Sequence, residues 1–564
     1  MLRLALLQLD LTVGAVGANA DRVAEACAEA ARQDVDLVLA PELAISGYPP
    51  EDLLFRSAFL RACRREVESL AGRVDVPLLV GSPWLGRDRV HNAALLLAGG
   101  EIKARYDKQH LPNYGVFDEE RTFAPGRHGL ALEAGGALCA VTICEDLWLS
   151  DGPAGRAARG GATVILNISS SPYHVGKAGV REDMLRTRAR DELSIIAYVN
   201  LVGGQDELIF DGRSIVIDAD GDIVARAAAF EEELLVCEVD PGAAVSARLR
   251  DTRLRRGKQR RPLQPRVTFD PPQPRSLLEP RIAPGPASPE SDLWGALCLG
   301  LRDYTTKNGF SRVLLGLSGG IDSALVAALA ADALGADRVD TISMPTRYNV
   351  AETRSDARRV AESLGVGFRE QPIEDLREAF MQAVPDATGL AAENLQARIR
   401  GMLLMTVSNQ HGHLVLTTSN KSETAVGYST LYGDSAGGFA PIKDVPKTTV
   451  FRLARWLNEQ AGTERIPASI IDRPPSAELR DDQRDDQSLP PYEVLDPILE
   501  AYVERDLAPD EIVALGLGEA DVVRRVARLV DVAEFKRRQA PPGLKLQPKA
   551  FGRDRRMPIT NAFR

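Results

Sequence analysis

Short apolar runs alternate with alanine-rich, charged stretches along most of the chain, and the alternation is interrupted once by a proline-dense segment. Brief apolar runs bounded by turn residues read as strands, and longer stretches with apolar residues every three or four positions read as helices. In the first half the strand-like runs are 2–9, 37–40, 77–81, 92–97, 138–143, 163–167 and 195–201, with helical patterns at 21–32 and 182–191. Gly221 and Asp222 mark a hairpin turn between 214–218 and 223–225. Arginine-rich sequence begins near Arg248, and 262–289 is dense in proline without an apolar period. It reads as a linker running over a surface, with solvated charges. The alternation then resumes with strand-like 313–317, the helix pattern 323–334, and strand-like 341–344 and 414–417. The expected organisation is an α/β domain over 1–245, a linker over 246–289 and a second α/β domain over 290–564. The polar, proline-bounded stretch 474–491 is expected to be a mobile loop.

Composition narrows the partners. A net charge of −10 and a pI near 5.4 disfavour a general nucleic-acid binder, which needs a basic face. The six cysteines are scattered, with no CxxC pair, so a zinc site and a disulfide framework are both disfavoured and a reducing cytoplasm is expected. The opening MLRLALLQLDLTVG meets Asp10 early and reads as a strand, not a leader peptide. No stretch approaches the ~18 uninterrupted apolar residues of a membrane span.

Three segments of the first half carry chemistry. LVLAPELAISGYPPEDL places Glu42 at the end of a strand, ARYDKQHLPNYGVFDE places Lys108 in a polar loop, and LCAVTICEDLW places Cys144 at the end of another strand. Strand ends feeding loops are where α/β folds build sites. A carboxylate takes a thiol proton and returns it to a leaving amine, and a nearby lysine favours thiolate and stabilises an oxyanion. Each residue alone also fits a bland role: a buried apolar cysteine, a cap, a solvated charge.

In this order the three segments resemble the nitrilase (carbon–nitrogen hydrolase) superfamily over nearly all of 1–240. The resemblance implies an αββα sandwich, with Glu42 as general base, Lys108 as oxyanion-stabilising group and Cys144 as nucleophile. Members attached to NAD synthetases bind glutamine, and the matching positions here are Tyr114, Ser171 and Lys177, with Glu145 and Trp148 shaping the same pocket.

The second half opens on RVLLGLSGGIDSALVAALAADAL, which sets Ser318, Gly319, Gly320, Asp322 and Ser323 between a strand and a helix. Glycines admit close backbone approach, and a helix start offers free N–H groups to phosphate. No lysine follows the glycines, so this is not a γ-phosphoryl P-loop, and GxGxxG is absent. SGGIDS resembles the N-type ATP pyrophosphatase family. MPTRYN, ENLQARIRGMLLM (Asn394, Arg398), LTTSNKSETAVGYSTLYGDSAGGFAPIKDVPKT, IPASIIDRPPSAEL and EFKRRQAPPGLKL resemble, within that family, the NAD synthetase domain over nearly all of 290–550.

This second resemblance implies a doubly wound parallel sheet of the adenine nucleotide α-hydrolase type. Its implied ATP contacts are Gly316, Leu317, Ser318, Gly319, Gly320, Ile321, Asp322, Ser323, Thr418 and Lys447. Asp322 and Glu423 are implied to hold Mg²⁺, and Asn394, Glu423 and Lys536 to contact deamido-NAD. Leu431 departs from the lysine often found before the Tyr-Gly-Asp triplet. The implied reaction is ATP-dependent amidation of deamido-NAD through its adenylate, using ammonia passed from glutamine, by a cytoplasmic homo-oligomer acting on small molecules. Three alternatives compete with it: amidation of a different acid, which would need different segments around 394–418; a regulatory protein with an inactive glutaminase half, against which the intact Glu42, Lys108 and Cys144 argue; and a general small-amide nitrilase, against which the intact SGGIDS with Asp322 and Glu423 argues.

Overall fold

The computed structural model describes residues 1–251, 262–269, 275–476, 478–480 and 483–563. They form two compact units, Met1–Gln205 with Ile209–Ala287, and Asp206–Leu208 with Ser288–Arg564.

The first unit is built on two large mixed sheets. One contains β1 (Leu2–Gln8), β2 (Leu37–Leu39), β3 (Leu78–Leu85), β4 (Val90–Ala98), β5 (Glu101–Asp107) and Glu233–Val239, the last of which lies antiparallel to β1 at the edge. All seven residues of β1 are buried, whereas the edge strand ELLVCEV alternates partly buried and buried positions. A central strand covered on both faces has no polar side to show, and an edge strand does. The other sheet runs through Leu130–Ala134, Ala137–Ile143, Val164–Ser169, Ile195–Asn200, Ile215–Ile217 and Ile223–Arg226. Leu4, Leu6 and Leu39 of the first sheet share one core with Val141, Leu166 and Ala197 of the second. The helix Val16–Ala31 buries Ala20, Val23, Cys27 and Ala30, a stripe at helical spacing. The helix Lys177–Glu192 buries Leu185 and Ala189 against Ile165 and Ile196 on the outer face of the second sheet. This is the αββα sandwich the sequence implied.

Several strands carried no expectation from the sequence, among them β5, Leu130–Ala134, Val202–Gln205, Leu208–Asp211, Glu233–Val239 and Gly367–Glu370. EIKARYD hides only Ala104 and Tyr106 fully, so its apolar content is too low to stand out. The linker expectation needs a larger correction. Val267–Thr268 adds a short parallel strand beside Leu130–Ala134. Two of its described arginines are not merely solvated: Arg275 pairs with both oxygens of Asp36, and Arg281 pairs with Glu233 at 3.0 Å. The described residues of this stretch therefore pack on the first unit as far as Ala287. Residues 252–261 and 270–274 lie outside the described residues.

The second unit has a four-stranded parallel sheet of Val313–Gly316, Val339–Ser343, Gly367–Glu370 and Leu414–Leu416. The third strand in sequence lies at one edge and the fourth at the other, so the first two occupy the middle. The order reverses between Val313–Gly316 and Leu414–Leu416, which is where open α/β sheets leave a crevice at their carboxyl ends. The helix Ile321–Leu334 leaves almost no polar face, and ten of its residues are buried. A separate helical cluster of Leu495, Ile498, Val523, Val526 and Val530 packs under Ala425 and Val426, which end the helix Lys421–Val426. Among the described residues, no helix is long and apolar enough to cross a membrane.

The stretch 474–491 is also corrected. Asn349 and Thr353 donate to the two carboxylate oxygens of Glu478, at 2.7 and 2.9 Å, and Gln396 donates to the Leu479 carbonyl at 2.8 Å. Its described residues are therefore tied to two helices, because the side chains that bind them lie far away in sequence. Residues 477, 481 and 482 lie outside the described residues.

Two candidate active sites

In the first unit the structure brings Glu42, Lys108 and Cys144 together. Glu42 follows β2 and is 1% exposed. One of its oxygens accepts from Asn92 Nδ2 at 2.7 Å and from Lys108 Nζ at 2.8 Å, and the other accepts from the Ser170 N–H at 3.0 Å. Lys108 Nζ donates to both oxygens of Glu119 at 2.8 Å. Asp146 ties two loops together: it accepts from the Ile143 N–H below Cys144 and from the N–H groups of Gln109 and His110 beside Lys108. Cys144 begins the turn Cys144–Leu147 with φ of +40°, a left-handed backbone that costs a non-glycine residue free energy and lifts its side chain out of the strand direction.

The electrostatics differ from the sequence argument in one respect. Lysine was expected to favour thiolate, yet burial, followed by the charge of Glu42, holds the Cys144 thiol well above its ordinary range, and Lys108 opposes this only in part. Burial works against the Lys108 ammonium, but Glu119 and Glu42 overcome it and hold the group above the usual lysine range. Lys108 is already shared between two carboxylates, so little of its charge is left for sulfur. Burial and the sharing of Lys108 between two acids thus favour the protonated thiol of Cys144 over its thiolate. Burial, opposed by Lys108 and reinforced by Glu42, pushes Glu119 up to about 7.

The residues implied for glutamine lie around this set. The Tyr114 hydroxyl donates to Glu145 at 3.0 Å. Lys177 Nζ stands 4.0 Å from the ring centroid of Trp148, and burial followed by the charge of Arg181 holds its ammonium below the usual lysine range. Ser171 is buried next to Ser170, its N–H donating to Asn200 Oδ1 at 2.9 Å. Asn92, Glu119 and Asp146 were missed. Glu119 stands in the same quoted segment as Lys108, one residue beyond Asp118, and an extra acid in a loop carries no local mark of burial.

In the second unit, every residue implied for ATP, metal or deamido-NAD lines one cavity of about 490 Å³: Gly316–Ser323, Asn394, Thr418, Glu423, Lys447 and Lys536. Gly316 ends its strand and Thr418 follows the neighbouring strand, so both sit at the reversal of strand order. Gly319 has φ of +82°, and a Cβ there would lie 2.1 Å from the Thr353 carbonyl oxygen. Lys447 pairs with Asp322 and lies 3.4 Å from Glu423 Oε1. Asn420, which was not anticipated, links the two acids: it donates to Asp322 at 3.0 Å and caps the helix of Glu423 by accepting its N–H. Burial, opposed by Lys447 and reinforced by Asp322 and Asp485, pushes Glu423 up to about 8. Asn394 accepts from the Thr430 hydroxyl, and Lys536 donates to the carbonyls of Gly427 and Ser429, both at 2.8 Å. Leu431 is not among the lining residues; its carbonyl accepts from Arg398 at 3.2 Å.

Gly319→Ala is expected to weaken ATP binding by roughly tenfold or more, because the loop must move to admit a methyl group. Titration of ATP beside a far-UV spectrum checks this. Wild-type affinity in a normally folded variant contradicts the cradle.

Residues 3–249 match the carbon–nitrogen hydrolase family model and residues 293–540 the NAD synthase model. The chain is 46% identical over 572 residues to the glutamine-dependent NAD(+) synthetase of Aquifex aeolicus, covering 100% of both chains. It is 44% identical to that of Thermotoga maritima, covering 100% of this chain and 99% of the relative. A solved glutamine-dependent NAD+ synthetase from Acinetobacter baumannii, in complex with ADP, superimposes with a TM-score of 0.74 at 38% identity, covering 99% of this chain and 98% of that one.

Proposed function

The chain belongs to the glutamine-dependent NAD(+) synthetases, and from that premise we propose how its residues divide the work. It is an enzyme that forms NAD by ATP-dependent amidation with nitrogen from glutamine. The carrying observation is that one chain builds both a buried carboxylate–lysine–thiol set and a glycine-lined cavity holding Asp322, Glu423 and Lys447.

In the first unit, Glu42 takes the Cys144 proton as sulfur attacks the amide carbon of glutamine. The Lys108 ammonium stabilises the oxyanion. Glu42 returns the proton to the leaving nitrogen, ammonia departs, and water hydrolyses the thioester to glutamate. Glu119 keeps Lys108 charged and fixes its ammonium. Tyr114, Ser171 and Lys177, with Glu145, hold the α-carboxylate and α-ammonium of glutamine, which need partners once desolvated.

In the second unit, Gly316–Ser323, Thr418 and Lys447 hold ATP, and Asn394, Glu423 and Lys536 hold deamido-NAD. The nicotinate carboxylate attacks the α-phosphorus and pyrophosphate leaves. Ammonia then displaces AMP from the acyl-adenylate. Free ammonia is largely protonated in neutral water, so direct transfer keeps its lone pair available. Asp322 and Glu423 would hold Mg²⁺, and the donor set fits: hard oxygen donors, with Asp485 close by, crowd one ammonium. When bound, the ion neutralises phosphate charge.

We also read the enzyme as a cytoplasmic homo-oligomer. Six free cysteines suit a reducing compartment. Leu376, Phe380, Val384, Leu390, Met402 and Met405 are exposed along 374–411, which supports an apolar contact.

Amide-labelled [15N]glutamine with ATP and deamido-NAD is expected to give NAD labelled in its carboxamide, read by mass spectrometry. Glutamine hydrolysis without labelled NAD would defeat the reading.

A further inference from the structure

Five cationic side chains line the second-unit cavity: Arg354, Arg400, Lys447, Arg473 and Lys536. Three have carboxylate partners, Arg354 with Glu370, Lys447 with Asp322, and Arg473 with Asp356. Lys536 spends its hydrogen bonds on two carbonyls. Arg400 is different. It lies on the helix Leu390–His411, one turn before Leu404, whose Cδ1 is 3.6 Å from where a Cβ on Gly316 would stand. Its Nε donates to the Met344 carbonyl at 3.1 Å, and Nη2 lies 3.4 Å from Asn349 Oδ1. Among the described residues it has no ion-pair partner, and Glu478 and Asp434 attract it only from further away. Burial outweighs them and pulls the guanidinium down to about 10.

A partly buried cation facing a cavity without a counter-charge costs free energy unless a ligand supplies one. The Nε bond fixes the guanidinium plane, and with Nη2 held only by a long 3.4 Å bond to Asn349, Nη1 and the second Nη2 proton remain to meet oxygen. Lys447 is neutralised within its own cluster, so the phosphate cradle has room for a second cation on the side of Gly316 and Met344. Resting on the proposed function, we propose that Arg400 is the counter-charge for a phosphoryl oxygen of a bound nucleotide, from ATP or from the pyrophosphate bridge of deamido-NAD.

Titration calorimetry on the full chain, with ATP and with deamido-NAD separately, tests this in wild type, R400Q and R400K. R400Q is expected to weaken one nucleotide roughly 10- to 100-fold, as for a lost charged hydrogen bond, and the other by less than about threefold. A weakened ATP arm identifies the triphosphate, and a weakened deamido-NAD arm identifies the pyrophosphate bridge. R400K recovers only part, because an ammonium lacks the fork. The Tm of ligand-free R400Q is expected to equal or exceed the wild-type value, since an uncompensated charge has been removed. Unchanged affinity for both nucleotides overturns the assignment. So does a lowered ligand-free Tm with equal loss of both, which marks a structural arginine. If wild type binds neither nucleotide, the proposed function fails first.

Discussion

Cys144→Ala is expected to lower NAD formation from glutamine by about 10⁴-fold or more, the scale of losing a covalent nucleophile. Formation from ammonium salt is expected to stay within about twofold of wild type, because the two reactions draw on separate sets of residues in separate units, and independent sites behave additively. Removal of the sulfur deletes the attacking atom but leaves Glu42 bonded to Lys108, Asn92 and the Ser170 N–H, and Lys108 bonded to Glu119. Paired assays with the two nitrogen sources read the result. Equal loss with both would mean that Cys144 supports the fold or the second reaction rather than glutamine hydrolysis.

The complementary change is Asp322→Ala. It is expected to reduce NAD formation by about a hundredfold or more with either nitrogen source, as when one preorganised electrostatic group is removed. Glutamine hydrolysis is expected to remain measurable. Asp322 binds both Lys447 and Asn420, so its loss leaves the lysine with Glu423 as its remaining close carboxylate and the Asn420 amide N–H without its acceptor. Asp322→Asn separates the two effects, since it keeps an oxygen acceptor but removes the charge. Loss of glutamine hydrolysis with intact ammonium-driven synthesis would reverse the assignment of the two units.

Much of each site was readable because its residues fall in short segments at strand ends. Glu42 follows an apolar run, Cys144 ends one, and SGGIDS bridges a strand and an alanine-rich helix. The resemblance of those segments to known families carried the roles. The residues that escaped notice act across long sequence separations. Asn92 reaches Glu42 from fifty positions away, and Asn420 reaches Asp322 from ninety-eight. Nothing near Asn420 in sequence says which carboxylate it will meet.

The amino-acid sequence by itself determined the alternation of strands and helices that makes two α/β units, because local pattern is a property of neighbours in the chain, and the resemblance of its short segments to two families supplied the thiol, base, lysine and glycine-rich cradle as candidates. Only the tertiary structure decided the charge states and the fate of the polar stretches. Burial and a lysine divided between two acids favour the protonated thiol of Cys144, where the residue types alone had argued for thiolate. Distant partners hold Glu478 and Arg275, in stretches whose composition suggested freedom. Desolvation and long-range pairing depend on what folding places alongside a residue, and a linear string does not contain that information.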